Sequence, residues 1–252
     1  MESIYTRLQK RARQIVSSFS APVFYSDHSR DFEYSAQFFK TDPVLKELYS
    51  FVAEHLDNDY GHGLQHATKV TFDAGALMHI EAQVSGYSKD FINRRLRVVQ
   101  CAGLLHDIKR KAKNHSETGA DHARGILKNY PLALSEVEDV CLAIRNHEAF
   151  KIKMPIDTPE SGLVSDCLYD ADKFRWGPDN FTDTLWDMIS FYNPPLSELM
   201  GRYPRGMESL KKIRSTFRTA TGKKYGPEFI DLGLAIGKEL YETIQREFSQ
   251  YL

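Results

Sequence analysis

Between residues 62 and 144 the apolar side chains return every three or four positions, and no stretch of useful length alternates apolar with polar. That period builds one apolar face on a helix, whereas a half-buried strand needs a period of two. Residues 62–84 carry Leu64, Ala67, Val70, Ala74, Leu77 and Met78 on such a face, and Ser85-Gly86-Tyr87-Ser88 breaks the run. A second helix is predicted over 89–107, through Phe91, Ile92, Leu96, Val99, Ala102 and Leu105. A third is predicted over 116–129, ending at Tyr130-Pro131. A fourth opens at Ser135-Glu136-Val137-Glu138, a capping-box signature, and carries Val140, Cys141 and Ile144. Residues 1–18 read as an amphipathic helix with Ile4, Leu8, Ala12 and Ile15 on one side. The fold class is all-α.

Pro155, Pro159 and Gly162 make residues 150–164 a loop. Residues 175–206 hold Trp176, Phe181, Trp186, Tyr192, Pro194, Pro195 and Pro204, so short, interrupted helices are expected. They read as a packed connector, with a lid that stacks on a base as the alternative. Two helices follow over 207–219 and 227–249, the latter starting with Pro227 in its first turn. The 252 residues fit a single domain over 1–252.

A formal net charge of −1 gives no basic field for a nucleic-acid polymer. No apolar stretch reaches the roughly 20 residues that span a bilayer, so no membrane partner is expected. Met1-Glu2-Ser3-Ile4 lacks a signal-peptide pattern. Cys101, Cys141 and Cys167 lie among apolar neighbours with no Cys-x-x-Cys spacing, as buried thiols of a reducing cytoplasm do.

The chemistry concentrates where the second helix ends, at Leu104-Leu105-His106-Asp107. A packed helix does not need to finish in an imidazole and a carboxylate, but a divalent metal uses both. His66 lies one turn before Val70, on the inward face of its helix, and His147 extends the inward face that carries Ile144. Asp172 lies in Leu168-Tyr169-Asp170-Ala171-Asp172-Lys173-Phe174, where apolar flanks turn a carboxylate inward. His66, His106, Asp107 and Asp172 are expected to form one metal site. His115 and His147 are expected to hold a second metal, or else to contact the substrate or brace the ligands. Asp107 could bridge two metals, because a carboxylate offers two oxygens. Mn, Fe, Ni, Co and Mg all accept such nitrogen and oxygen ligands.

Lys109, Arg110, Lys111 and Lys113 follow the His-Asp pair, with Lys173 and Arg175 beside Asp172 and Arg145 two before His147. Such cations suit a phosphorylated substrate. Asp107, Lys109 and Lys173 are the residues predicted to act in catalysis; His62, Arg110, Arg145 and Arg175 are predicted substrate contacts. Asp170 could orient a ligand or cap a helix, and capping is the favoured reading.

Three motifs carry a resemblance to a known family: Gly61-His62-Gly63-Leu64-Gln65-His66-Ala67-Thr68-Lys69-Val70, Leu104-Leu105-His106-Asp107-Ile108 and Asp170-Ala171-Asp172-Lys173-Phe174. The chain resembles the HD-domain superfamily of metal-dependent phosphohydrolases, in its small stand-alone form, over residues 45–180. Residues 181–252 would then be a C-terminal helical extension. The resemblance implies His66, His106, Asp107 and Asp172 as ligands. His115-Ser116-Glu117-Thr118-Gly119-Ala120 and Ile144-Arg145-Asn146-His147-Glu148 look like motifs of its two-metal branch. The cyclic-dinucleotide branch has Gly-Tyr-Pro after a doubled histidine, whereas His147 here is followed by Glu148-Ala149-Phe150, which disfavours that activity.

The expected function is metal-activated water cleaving a phosphoester or phosphoanhydride of a small phosphorylated metabolite, with a nucleotide favoured. The alternative is a di-iron oxygenase of the same superfamily, which would use the full six-ligand set on a small polar substrate. A module with a purely structural metal is weaker, since such sites usually close with Cys and His. The terminal helices offer a surface for a homodimer.

Overall fold

The apolar stripe that begins at Leu64 becomes the axis of the fold. The computed structural model describes residues 3–56 and 63–252, and no strand occurs among them. In chain order the helices are α1 (Ile4–Ser17), α2 (Phe24–Asp27), α3 (Ser29–Thr41), α4 (Pro43–His55), α5 (Leu64–Val84), α6 (Lys89–Leu105), α7 (His115–Leu127), α8 (Leu134–Asn146) and α9 (Pro159–Phe174). A π-type turn over Asn180–Thr184 leads to α10 (Leu185–Tyr192), α11 (Leu196–Ile213) and α12 (Ala220–Glu247).

α5 packs against α6, α3 and α9, and α8 packs against α7, α9 and α6. Because α5 is surrounded, it buries Thr71, Asp73, Gly75 and Ala76 as well as its apolar stripe. α5 and α6 approach closely at Gly103, where a Cβ would fall 2.8 Å from the Thr71 Cα. The core includes Leu77, Leu96, Leu104, Val140, Ile144, Leu168 and Phe174, all fully buried. Burying a side chain of this size is worth roughly 1.5–3 kcal/mol. The packing brings the start of α5, the end of α6 and the last turn of α9 together.

α1 buries Leu8, Ala12 and Ile15 and lies against the Asn180–Thr184 turn and α12. The apolar face predicted for residues 1–18 is therefore used within the molecule. Phe181, Trp186, Ile189, Leu196, Met200 and Tyr203 are buried too, so residues 175–206 pack as a connector. α10 ends at Asn193, whose φ of 40° turns the chain out of the helix.

Several boundaries differ from the sequence reading, each for a local reason. α9 starts at Pro159, inside the expected loop, because the Thr158 hydroxyl accepts from the Ser161 N–H at 3.1 Å and proline suits the first turn. α12 starts at Ala220 rather than Pro227, because the Thr219 hydroxyl accepts from the Gly222 N–H at 2.8 Å. Pro227 lies inside α12 and Pro204 inside α11, so the helix expected over 207–219 instead ends at Ile213. α8 starts ahead of Ser135, with the Glu136 carboxylate accepting from the Ala133 N–H at 2.9 Å. Asp170 acts as a cap in tertiary space. Its carboxylate accepts from the Arg218 and Thr219 N–H groups and the Thr219 hydroxyl, each at 2.8 Å, and fixes the start of α12.

Candidate metal centre

Asp107 stands at the centre of the candidate site, with its two oxygens facing different partners. It follows the last turn of α6 and is 2% exposed. Its Oδ2 lies 3.2 Å from His106 Nε2 and 3.9 Å from His66 Nε2. Its Oδ1 lies 3.7 Å from His147 Nε2 and 3.9 Å from His115 Nε2. Donor atoms of His66, His106 and Asp107 converge within 4.8 Å of one another, and so do those of Asp107, His115 and His147. Asp172 Oδ1 joins the first group, 3.4 Å from His66 Nε2 and 3.9 Å from His106 Nε2. Four of the other predicted ligands thus surround the Asp107 carboxylate, and Asp172 joins them through His66 and His106.

The ends of α6 and α8 orient two of the candidate ligands by local hydrogen bonding. His106 Nδ1 faces the Gly103 carbonyl at 2.8 Å, and His147 Nδ1 faces the Ile144 carbonyl at 2.6 Å. A carbonyl only accepts, so each Nδ1 carries the proton and Nε2 is turned toward the centre. His106 Nε2 is buried with no hydrogen-bond partner among the described residues. A metal would satisfy such an atom, so the donors present fit a divalent ion.

The electrostatics agree. Burial works against charge on His106, yet the Asp107 and Asp172 carboxylates carry its pKa above the ordinary imidazole value. Burial also opposes charge on Asp172, but Lys173, His66 and His106 hold its pKa well below the usual carboxylate range. His115 is pushed down to about 4 by burial, Arg110 and His147, which leaves its ring neutral near pH 7. A metal competes with protons for such groups, so it would bind most tightly where the imidazoles are free of them.

The predicted cations separate into two groups. Arg110 reaches the second set, with Nη1 2.8 Å from His115 Nε2 and 3.7 Å from Asp107 Oδ1. A guanidinium therefore sits on the acceptors where a metal cation would be attracted. Lys173 is buried and pairs with Asp172 Oδ2, so it turns the other oxygen toward the histidines. Arg175 is buried between Asp73, Asp179 and the Tyr25 hydroxyl and also lines the cleft. Arg145 instead pairs with Asp121 at 2.7 Å, away from the cleft lining. Lys109 is half-buried, acts on His122, and is not among the described lining residues. His62 lies outside the described residues.

The candidate ligands other than His106 line a cleft of about 320 Å³, whose other walls include Glu148, Phe150, Trp176, Asn180 and Met188. Glu148 accepts from the Ser116 hydroxyl at 2.6 Å and lies 3.8 Å from His115 Nδ1. Sequence reading missed it, although it adjoins His147. Asp73 was also missed; its signal was a carboxylate two turns after His66, between Phe72 and Ala74.

The HD domain family matches residues 63–177, from the residue preceding α5 to just beyond α9. No curated protein matches the sequence. Among solved structures, the chain is similar to a protein described as a predicted HD superfamily hydrolase from an uncultured Thermotogales bacterium. The two share 22% identity over 86% of this chain and 98% of that one, with a TM-score of 0.48. No helix of the described residues is long and apolar enough to cross a membrane. All six candidate ligands fall inside the matched span, so the chain carries an HD domain over residues 63–177.

Proposed function

We propose that this protein is a metal-dependent phosphohydrolase that cleaves a phosphoester or phosphoanhydride bond of a small phosphorylated metabolite, with a nucleotide as the favoured substrate. The observation that carries the reading is the division of Asp107 between two histidine sets, Oδ2 toward His66 and His106 and Oδ1 toward His115 and His147. His66, His106, Asp107 and Asp172 would hold one divalent ion, and Asp107, His115 and His147 a second. Bound there, such an ion lowers the pKa of its water and supplies hydroxide near neutral pH.

The chain's own groups do the rest. Lys173 fixes Asp172 from behind. Arg110, more than a third exposed at the cleft, can turn its guanidinium from His115 to phosphoryl oxygens and offset their charge. Glu148 bonds Ser116 at the start of α7 and so steadies the turn that carries His115. A cleft of about 320 Å³ is at the lower end of the range that takes small metabolites.

The test is release of phosphate and pyrophosphate from a nucleotide panel by Mn-loaded protein. Release of either is expected, and the product identifies the bond broken. No release from any nucleotide, with consumption of dioxygen by the iron-loaded protein on a polar substrate, would replace this reading with the oxygenase.

A further inference from the structure

Phe150 combines two unfavourable features at one position. Its φ is 64°, a left-handed conformation in which glycine is the ordinary residue and a bulky side chain is an outlier. It is also 67% exposed, although it is large and apolar. Neither feature follows from packing, because an exposed aromatic gains little from the core. Strained backbone of this kind gathers where a side chain is held for a ligand.

The surroundings indicate which ligand. Phe150 lies three residues after His147 and lines the same cleft as the metal ligands. The loop is tied back beyond it, with the Met154 N–H donating to Asn146 Oδ1 at 2.7 Å. Trp176 and Met188, both half-buried, line the same cleft from the segment that follows α9. The charged floor is thus joined to an apolar, aromatic wall. A phosphate alone would leave that wall wet, whereas a planar ring attached to the phosphate would cover it.

We propose that Phe150 is a specificity-determining residue that packs on the planar ring of the substrate, the base when the substrate is a nucleotide, with Trp176 and Met188 completing the ring site. The inference rests on the phosphohydrolase reading for the phosphate end of the ligand. Base–aromatic stacking of ordinary strength corresponds to roughly tenfold in affinity or more.

Calorimetric titration with non-hydrolysable methylenephosphonate analogues of adenosine monophosphate and ribose 5-phosphate tests it on Mn-loaded protein. Wild type is expected to bind the adenosine analogue about tenfold or more tighter than the ribose one. In Phe150→Gly, which also relieves the backbone, that preference collapses toward unity. Phe150→Leu keeps apolar bulk without a flat face and falls between the two. Equal binding of the two analogues by wild type, or a preference undiminished in Phe150→Gly, would overturn the proposal. Turnover plays no part in this readout. A protein that binds the ringed analogue through Phe150 but releases no phosphate would sink the hydrolase reading and leave the ring site standing.

Discussion

Asp107→Ala is expected to lower metal-dependent phosphate release roughly 1,000-fold, about 4 kcal/mol of barrier, with the helical fold retained. The size follows from the position. Asp107 Oδ2 serves the set containing His66 and His106, and its Oδ1 serves the set containing His115 and His147. One substitution therefore weakens both, whereas His66→Ala and His147→Ala each strike one set directly. Initial rates across a Mn titration provide the check. Activity restored to the wild-type level at high Mn would show that Asp107 serves only affinity. Activity unaffected at every Mn concentration would remove it from the site.

The largest stability effect is expected from the pair behind the centre. Arg175, three residues beyond Asp172, is buried against Asp73 of α5 and also bonds Asp179. Asp73→Ala leaves a buried guanidinium, which cannot shed its proton, with less compensation. The expected cost is about 3 kcal/mol, read as a Tm lowered by roughly 6–12 °C in a chain of this size. Replacing both partners, Asp73→Leu with Arg175→Met, should recover much of the loss, because the desolvation cost disappears with the charges.

Asp73 also predicts a pH signature. Burial pushes its pKa up from 3.8 to about 6, with Arg175 opposing the rise. The folded state therefore holds this proton to higher pH than the unfolded chain does. The proton-linked part of its stability is complete below pH 3.8 and is lost as pH rises through about 6, leaving the ion pair with Arg175. Denaturant midpoints of wild type and Asp73→Asn across that window should show the wild-type advantage shrinking as pH rises. An advantage that grows with pH would contradict the raised pKa.

The candidate site was legible because its residues stand at positions that helical periodicity and helix ends already mark. His66 shares the inward face of α5, His106 and Asp107 follow the last turn of α6, and His147 caps α8. Where a side chain in a non-helical segment points depends on tertiary packing. That is why Lys109, two residues from Asp107 in sequence, falls outside the cleft lining, while Phe150 and Trp176 enter it; Arg145, within α8, is drawn off by its pairing with Asp121. The helix starts at Pro159 and Ala220 were hidden behind prolines, because capping by Thr158 and Thr219 outweighs the local breaker signal. α2, α3 and α4 were not anticipated at all. The pairing of Asp73 with Arg175 links residues 102 positions apart, and no local pattern marks it.

The most direct measurement is the number of Mn ions bound per chain after equilibrium dialysis of wild type, His147→Ala and Asp107→Ala. Two ions in wild type, one in His147→Ala and neither held firmly in Asp107→Ala is the result expected of a carboxylate shared between the two donor groups. Wild-type occupancy in Asp107→Ala, or a wild type that never exceeds one ion, would contradict the shared centre.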